Sequence, residues 1–200
     1  MIKNVIFDLG NVLVKVNPGR FRENLLANGA DEEVFDNALA LENIIQFRFE
    51  TGVMSEKEFI ACCISVLNEK ISPETFVDSF NSMFDEIPEM KNFLEELVES
   101  KKYKIYLLSN TNPIHFDYIT GKFKYVNLIK NNLLSYRLKC IKPGIEIYEK
   151  IIKENNLVPE ETIFIDDLKE NCDAAEKTGI KTIQYSDHSD FIEKFYQLTL

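Results

Sequence analysis

Asn4-Val5-Ile6-Phe7-Asp8-Leu9-Gly10-Asn11 is the stretch that decides the fold. Asn4 to Phe7 is an apolar, β-prone run, and Leu9-Gly10-Asn11 breaks the pattern directly after a charged residue. Asp8 is thereby delivered to a strand end, the edge of a sheet where open α/β folds place their chemistry. A carboxylate so placed can act as a covalent nucleophile and take up a phosphoryl group. A lone aspartate there could equally cap the following segment, so the rest of the chain has to decide between the two.

Working outward, Val12-Leu13-Val14-Lys15-Val16 alternates weakly and reads as a flap or hairpin arm. Pro18 then opens a helical region that runs to about Phe84, with Phe21, Leu25 and Leu26, and later Phe59, Cys63, Val66 and Leu67, at helical spacing. Gly29 and Gly52 punctuate it, while Ser55-Glu56-Lys57-Glu58 and Ser72-Pro73-Glu74 carry helix-start signals. Pro88 begins a further helix that buries Phe93, Leu94, Leu97 and Val98. At Tyr103 the character changes. Lys104 to Leu108 reads as a buried strand ending at Ser109-Asn110-Thr111-Asn112, with a helical stretch from Pro113. Leu133 to Leu138 is one short element, and a helix is expected from about Pro143 to Asn155. Thr162 to Ile165 is a strand ending at Asp166-Asp167, Asn171 to Lys177 a helix capped by Gly179, Lys181 to Tyr185 a strand, and Phe191 to Leu198 a closing helix. Strands alternating with helices predict an α/β fold with a parallel sheet and right-handed crossovers. The helical block between the first and second strands is an insertion at the catalytic edge, which divides the chain into a core of residues 1–15 and 87–200 and a helical cap of residues 16–86.

Composition narrows the function. Two hundred residues with 45% hydrophobic and 28% charged content fit a soluble chain with a real core. A net charge of −10 and a pI near 4.8 argue against nucleic acid or an anionic membrane as partner, and they oblige an anionic substrate to find a local cation. Cys62, Cys63, Cys140 and Cys172 show no CxxC spacing, and no histidine sits at metal-ligand distance in sequence, so reduced structural thiols in a cytoplasmic protein are expected. The first apolar run is broken at Asp8 before a secretory core forms, and no stretch approaches the ~20 apolar residues of a membrane span.

Three strands end in polar clusters, at Asp8, at Ser109-Asn110 and at Asp166-Asp167, and Ile141-Lys142-Pro143 places a lysine just before a helix. A parallel sheet brings all carboxyl ends to one edge, so these clusters converge. Together they supply what phosphoryl transfer needs: a nucleophile, carboxylates for a metal, donors for phosphate oxygens and a cation.

This ordered set resembles the haloacid dehalogenase (HAD) superfamily, over nearly the whole chain: the strand–Asp8 motif, a helical C1-type cap after it, Leu-Leu-Ser109-Asn, Lys142-Pro and Phe-Ile-Asp-Asp167. Phe7-Asp8-Leu9-Gly10-Asn11-Val12, Leu108 to Asn112 and Glu50-Thr51-Gly52 are similar to the branch of small-sugar-phosphate phosphatases that includes bacterial glucose-1-phosphate phosphatases. The resemblance implies a Rossmannoid core and a phosphomonoesterase working through an aspartyl phosphate on a small phosphorylated metabolite such as a hexose 1-phosphate. It implies Mg²⁺ as cofactor, with Asp8, the backbone carbonyl of Gly10 and Asp167 as its protein ligands. Asp167 is preferred over Asp166 because family members with Gly-Asp at this doublet align Asp167 with the ligand. Asp166 and Asn171 would orient Asp167 and the metal's waters. Ser109 and the Asn110 backbone N–H would hold phosphate oxygens, and Lys142 would bridge Asp8 and the phosphate. The chain would act as a monomer or small homo-oligomer.

One position departs from the pattern. Many superfamily phosphatases carry a second aspartate two residues after the nucleophile as general acid and base, and here that position is Gly10. General acid catalysis is typically worth ~10²–10⁴ in rate. His115, Asn112 or metal-held water could replace it; without an acid, leaving groups of low pKa, such as anomeric sugar 1-phosphates, would be favoured. Within the cap, Phe47, Arg48 and Glu50 are the candidates for reading the leaving group, against a plain reading in which the phenylalanine packs inward and the charges point out. The competing functions are a metal-independent haloacid dehalogenase, which has no use for Asp167, and a catalytically weak phosphate-ligand binder.

Overall fold

The computed structural model describes residues 1–199, and the side chains of all of these except 35–43. The first strand is central because it can be covered on both sides: β1 (Asn4–Phe7) is buried at every residue. It pairs in parallel with β4 (Lys104–Ser109) on one side and β6 (Thr162–Asp166) on the other, Phe7 lying opposite Leu107 and Ile165. The edges are β5 (Asn131–Leu134) and β7 (Lys181–Gln184), which gives the parallel order β5-β4-β1-β6-β7.

Strand alternation sorts the core into two layers. Val5, Phe7, Ile105, Leu107, Ile163 and Ile165 face one side. There they meet α5 (Pro88–Ser100) through Met90, Phe93, Leu94 and Leu97, and α10 (His188–Thr199) through Phe191 and Phe195. Ile6, Tyr106, Leu108 and Phe164 face the other side, against Ile147, Tyr148 and Ile151 of α8 (Ile145–Asn155) and Ala174 and Ala175 of α9 (Lys169–Glu176). The α/β fold with a parallel sheet expected from the sequence is the one observed, with helices on both faces of the sheet.

The inserted block consists of α1 (Pro18–Ala27), α2 (Glu32–Glu50), α3 (Glu56–Val66) and α4 (Pro73–Asn81). Its boundaries follow local chemistry. Ser55 and Glu58 form a reciprocal capping box, and Ser72 caps α4 with Pro73 in its first turn. The block's interior is a phenylalanine cluster, in which Phe59 stacks on Phe49 at 4.1 Å and packs against Phe76 and Phe80 at 6.0 and 5.4 Å between ring centroids. The Val12–Val16 arm does form, as β2 (Val14–Val16), and it pairs antiparallel with β3 (Phe84–Glu86). The block therefore leaves and re-enters the core through one two-stranded stem.

Several boundaries move. The element expected at Leu133 to Leu138 is the end of β5 followed by the single turn α7 (Ser135–Leu138), because the Ser135 hydroxyl binds both the N–H and the carbonyl of Thr111 at 3.0 Å and closes the strand there. α8 starts at Ile145 with Gly144 as its cap rather than at Pro143, and α9 starts at Lys169, so that Asn171 lies in its first turn. α6 (Pro113–Lys122) begins where Pro113 predicts, capped by the Asn112 side chain on the His115 N–H.

Candidate active site

The parallel register puts Asp8 one residue beyond β1, Ser109 at the end of β4 and Asp166 at the end of β6. The Asp8 N–H donates to Ile165 O at 2.8 Å, which carries the strand pairing one step past β1 and fixes where the carboxylate emerges. Lys142, just before α8, lies between the acids: its Nζ donates to Asp8 Oδ1 at 2.7 Å, to Asp166 Oδ2 at 2.6 Å and to Leu108 O at 3.2 Å. Lys142, Asp166 and Asp8 are all buried, Asp8 keeping 8% exposure, and its neighbours Leu9 and Gly10 wall the adjoining cavity.

The electrostatics follow from that burial. Desolvation pushes the Asp8 carboxyl up to about 6; Lys142 opposes this and Asp166 adds to it. Burial alone would lower Lys142, but Asp8 and Asp166 outweigh it, and its ammonium is held above the usual range. Asp167 is raised by burial and by its neighbour Asp166. One carboxylate oxygen from each of Asp8, Asp166 and Asp167 lies within 4.8 Å of the other two. Three acids face one ammonium, an excess of negative charge that a hard cation with oxygen coordination would balance.

The doublet divides its work. Asp166 is saturated by protein: Oδ2 takes Lys142, while Oδ1 accepts from the Leu168 N–H and from Asn171 Nδ2, both at 2.9 Å. Asp167 is only half-buried, and its Oδ2 accepts one bond, from Asn11 Nδ2 at 3.2 Å. The hydrogen bonds that close the Gly10 loop, Asn11 N–H to Val14 O and Val14 N–H to Leu9 O, use neither the amide nor the carbonyl of Gly10.

Ser109 and Asn110 join the cluster from β4. The Asn110 side chain clamps Lys142 through both ends of its amide, donating to Lys142 O and accepting from Lys142 N, each at 2.9 Å. That clamp spans 32 residues and has no sequence signature. Asn11 is equally cryptic: at φ 53° it adopts the left-handed turn that asparagine tolerates, its Oδ1 accepts from the Val16 N–H, and its amide nitrogen holds Asp167. The only hint of this in the sequence is an asparagine directly after Gly10.

A cavity of about 520 Å³ opens beside this cluster, walled by Leu9, Gly10, Ser109 and Asn110 from the core and by Gln46 and Glu50 from α2. Of the cap residues singled out from sequence, only Glu50 reaches it. Phe47 is 53% exposed and Arg48 is exposed, while Phe49 is the phenylalanine that packs inward. The end of α2 is held in place by the turn that follows. Gly52 has φ +61° and lies so close to the Tyr136 carbonyl that a Cβ would overlap it, while Lys139 Nζ donates to Gly52 O. Gly52→Ala is therefore expected to cost upward of ~1 kcal/mol in a denaturation experiment, since strain and overlap add.

His115 is a buried neutral imidazole. Desolvation brings it down to about 3, its Nδ1 faces Asn112 Nδ2 at 3.1 Å, and its ring lies 3.8 Å from that of Phe80.

Comparison with known proteins agrees with this fold. Residues 5–185 match the family model of haloacid dehalogenase-like hydrolases. A D-ribitol-5-phosphate phosphatase of Bacteroides thetaiotaomicron is 29% identical over 198 residues, covering 96% of this chain and 95% of the relative. A solved HAD family enzyme from the same organism superposes with a TM-score of 0.88 at 30% identity, over 97% of this chain and 98% of that one. A complex of that wild-type enzyme with magnesium and inorganic phosphate gives a TM-score of 0.82 at 29% identity, over 96% and 99% of the two chains. With residues 5–185, and so all five strands of the sheet but the first residue of β1, spanned by the family model and its strand-end acids gathered on one edge, the chain belongs to the haloacid dehalogenase-like hydrolases.

Proposed function

We propose that this hydrolase is a Mg²⁺-dependent phosphomonoesterase that forms an aspartyl phosphate on Asp8 and acts on a small sugar or sugar-alcohol phosphate. The observation that carries the reading is the convergence of Asp8, Asp166 and Asp167 within 4.8 Å around the buried Lys142 ammonium. The similar ribitol-5-phosphate phosphatase and the neighbour bound to magnesium and phosphate support it. A dehalogenase would have no use for Asp167. The intact nucleophile, acid cluster and lysine weigh against a mere phosphate binder.

In this reading Asp8, Asp167 and the Gly10 carbonyl would hold Mg²⁺, which when bound would supply positive charge to the phosphoryl oxygens. Asp166 and Asn171 fix the loop that presents Asp167. Asp8 attacks phosphorus with the oxygen not engaged by Lys142. The Lys142 ammonium and the Ser109 hydroxyl, with the Asn110 backbone N–H, neutralise and orient the phosphate. Residues 16–86 act as the cap, excluding water and reading the leaving group with the groups that wall the cavity. The substrate class spans the hexose 1-phosphates suggested by the sequence motifs and the polyol phosphate of the similar enzyme. A cytoplasmic setting is supported by four cysteines of which none forms a disulfide, and among the described residues no helix is long and apolar enough to cross a membrane.

The deciding experiment is phosphate release from a panel of phosphorylated metabolites, with and without Mg²⁺. Asp166→Asn and Asn171→Ala are expected to raise the Mg²⁺ requirement about 10–100-fold, as changes behind a metal ligand do, and Asp167→Ala by more than either. Turnover unaffected by a chelator would exclude the metal-dependent reading, and a stronger effect at Asp166 would reverse the assignment within the doublet.

A further inference from the structure

Gly10 leaves the nucleophile loop without the acid that a poor leaving group requires, so the proton has to come from metal-held water or from another side chain of the cavity. Among the described residues that wall it, three side chains titrate: Arg22, His115 and Glu50. Arg22 is no proton donor, because a guanidinium stays charged at any working pH, and it is ion-paired to Glu32 at 2.6 Å. His115 is no better. Buried and neutral, its Nδ1 faces the amide nitrogen of Asn112, and its Nε2 is sealed from the cavity. That leaves Glu50.

We propose that Glu50, reaching over from the last residue of α2, is the general acid and base of the reaction and replaces the side chain missing at Gly10. The inference rests on the phosphatase reading above. Three independent observations place Glu50 for the task. It shares a cavity wall with Gly10, Ser109 and Asn110. Its Oε1 accepts from Gln46 Nε2 at 2.8 Å, which orients the carboxyl and leaves Oε2 to carry the proton. Its helix end is pinned to the core by the close approach of Gly52 to Tyr136 and by the bond from Lys139. Burial raises its pKa, with Gln46 and then Lys142 opposing, and a phosphate dianion brought beside it would raise it further.

The proton balance closes over two half-reactions. First, an Asp8 oxygen bonds to phosphorus as the bond from phosphorus to the ester oxygen breaks, and the Glu50 carboxylic acid gives its proton to that oxygen. An alcohol, an aspartyl phosphate and a Glu50 carboxylate result. Then a water oxygen bonds to phosphorus as the Asp8–phosphorus bond breaks, and Glu50 takes the water's proton. Inorganic phosphate leaves, with both carboxyl groups restored. An acid in this position makes primary alkyl phosphates accessible, so the preference for anomeric leaving groups expected from Gly10 alone is relaxed.

Glu50→Gln tests this, because it keeps the shape of the side chain and the bond to Gln46. The probes are p-nitrophenyl phosphate, whose phenolate departs unaided, and glycerol 3-phosphate, whose alkoxide does not. Glu50→Gln is expected to lower kcat/KM on glycerol 3-phosphate about 10²–10⁴-fold while leaving kcat/KM on p-nitrophenyl phosphate within a few-fold of wild type, because kcat/KM reports the first half-reaction; the loss of the base in the second half-reaction lowers kcat on both esters alike. Adding Gly10→Asp to Glu50→Gln is expected to restore turnover of the alkyl ester, since a Cβ at residue 10 meets only Val16 Cγ2, at 3.2 Å. Equal losses of kcat/KM on both esters would overturn the proposal, and so would no loss on either, which would leave the proton to metal-held water. So would a rise in KM with kcat unchanged, which would make Glu50 a reader of substrate hydroxyls. Failure of the phosphatase reading looks different: wild type would then release no phosphate from p-nitrophenyl phosphate in Mg²⁺.

Discussion

Asp8→Asn is expected to reduce phosphate release by on the order of 10⁴-fold or more while the protein melts at or above the wild-type temperature. The loss is chemical: an amide oxygen cannot form the acyl phosphate, and removing a covalent nucleophile forfeits the whole two-step route. The retained stability follows from the surroundings of Asp8. Its ionised form is disfavoured by burial and by Asp166, and only Lys142 compensates among the charged groups around it. An asparagine fills the same space, can accept from Lys142 Nζ through its amide oxygen, and carries no charge that must be desolvated. Phosphate release and thermal unfolding measured on the same preparation separate these effects. Near-wild-type turnover by a folded Asp8→Asn protein would remove the aspartyl-phosphate mechanism altogether.

What could be read from the chain, and what could not, divides on whether a feature depends on neighbours in sequence or across the fold. β1, β4 and β6 are legible because both faces of each are covered, so Val5 to Phe7, Ile105 to Leu108 and Ile163 to Ile165 are unbroken apolar runs. The parallel sheet then obliges their carboxyl ends, and with them Asp8, Ser109 and Asp166, to share one edge. β5 and β3 are hidden for the opposite reason. Asn131 and Asn132 lie on an edge strand, and Phe84-Asp85-Glu86 becomes a strand only because Val14 to Val16 is there to pair with it. The site divides in the same way. Its acids and lysine sit at strand and helix ends that periodicity locates. Glu50 sits on a helix that gives no sign of facing the core. It is inward because Phe49, Gly52 and Tyr136 fix the rotation and docking of α2, and none of those contacts is encoded near Asp8. Asn11 and Asn110 likewise act through partners 156 and 32 residues away.

Lys142→Met carries the largest expected loss of stability. The lysine bridges two carboxylates at 2.7 and 2.6 Å, and its own side chain and that of Asp166 are 2% and 0% exposed. Removing one partner of a buried ion pair typically costs about 3–5 kcal/mol, because the charge left behind is neither solvated nor paired. Here Asp8 and Asp166 would face each other with nothing between them. For a chain of this length that corresponds to a fall in melting temperature on the order of 10 °C or more. Adding Asp166→Asn to Lys142→Met should recover part of the loss, since the asparagine oxygen can still accept from the Leu168 N–H and from Asn171 while one of the opposed charges is gone. Activity should stay low in both variants, as neither restores a cation to meet the phosphate. Mg²⁺ offers a further discrimination. A divalent ion among the acids would substitute for part of the missing ammonium charge, so Mg²⁺ should raise the melting temperature of Lys142→Met more than that of wild type. A Lys142→Met protein as stable as wild type without Mg²⁺ would mean that the two carboxyl groups share a proton rather than repel. The lysine would then be present for the phosphate alone.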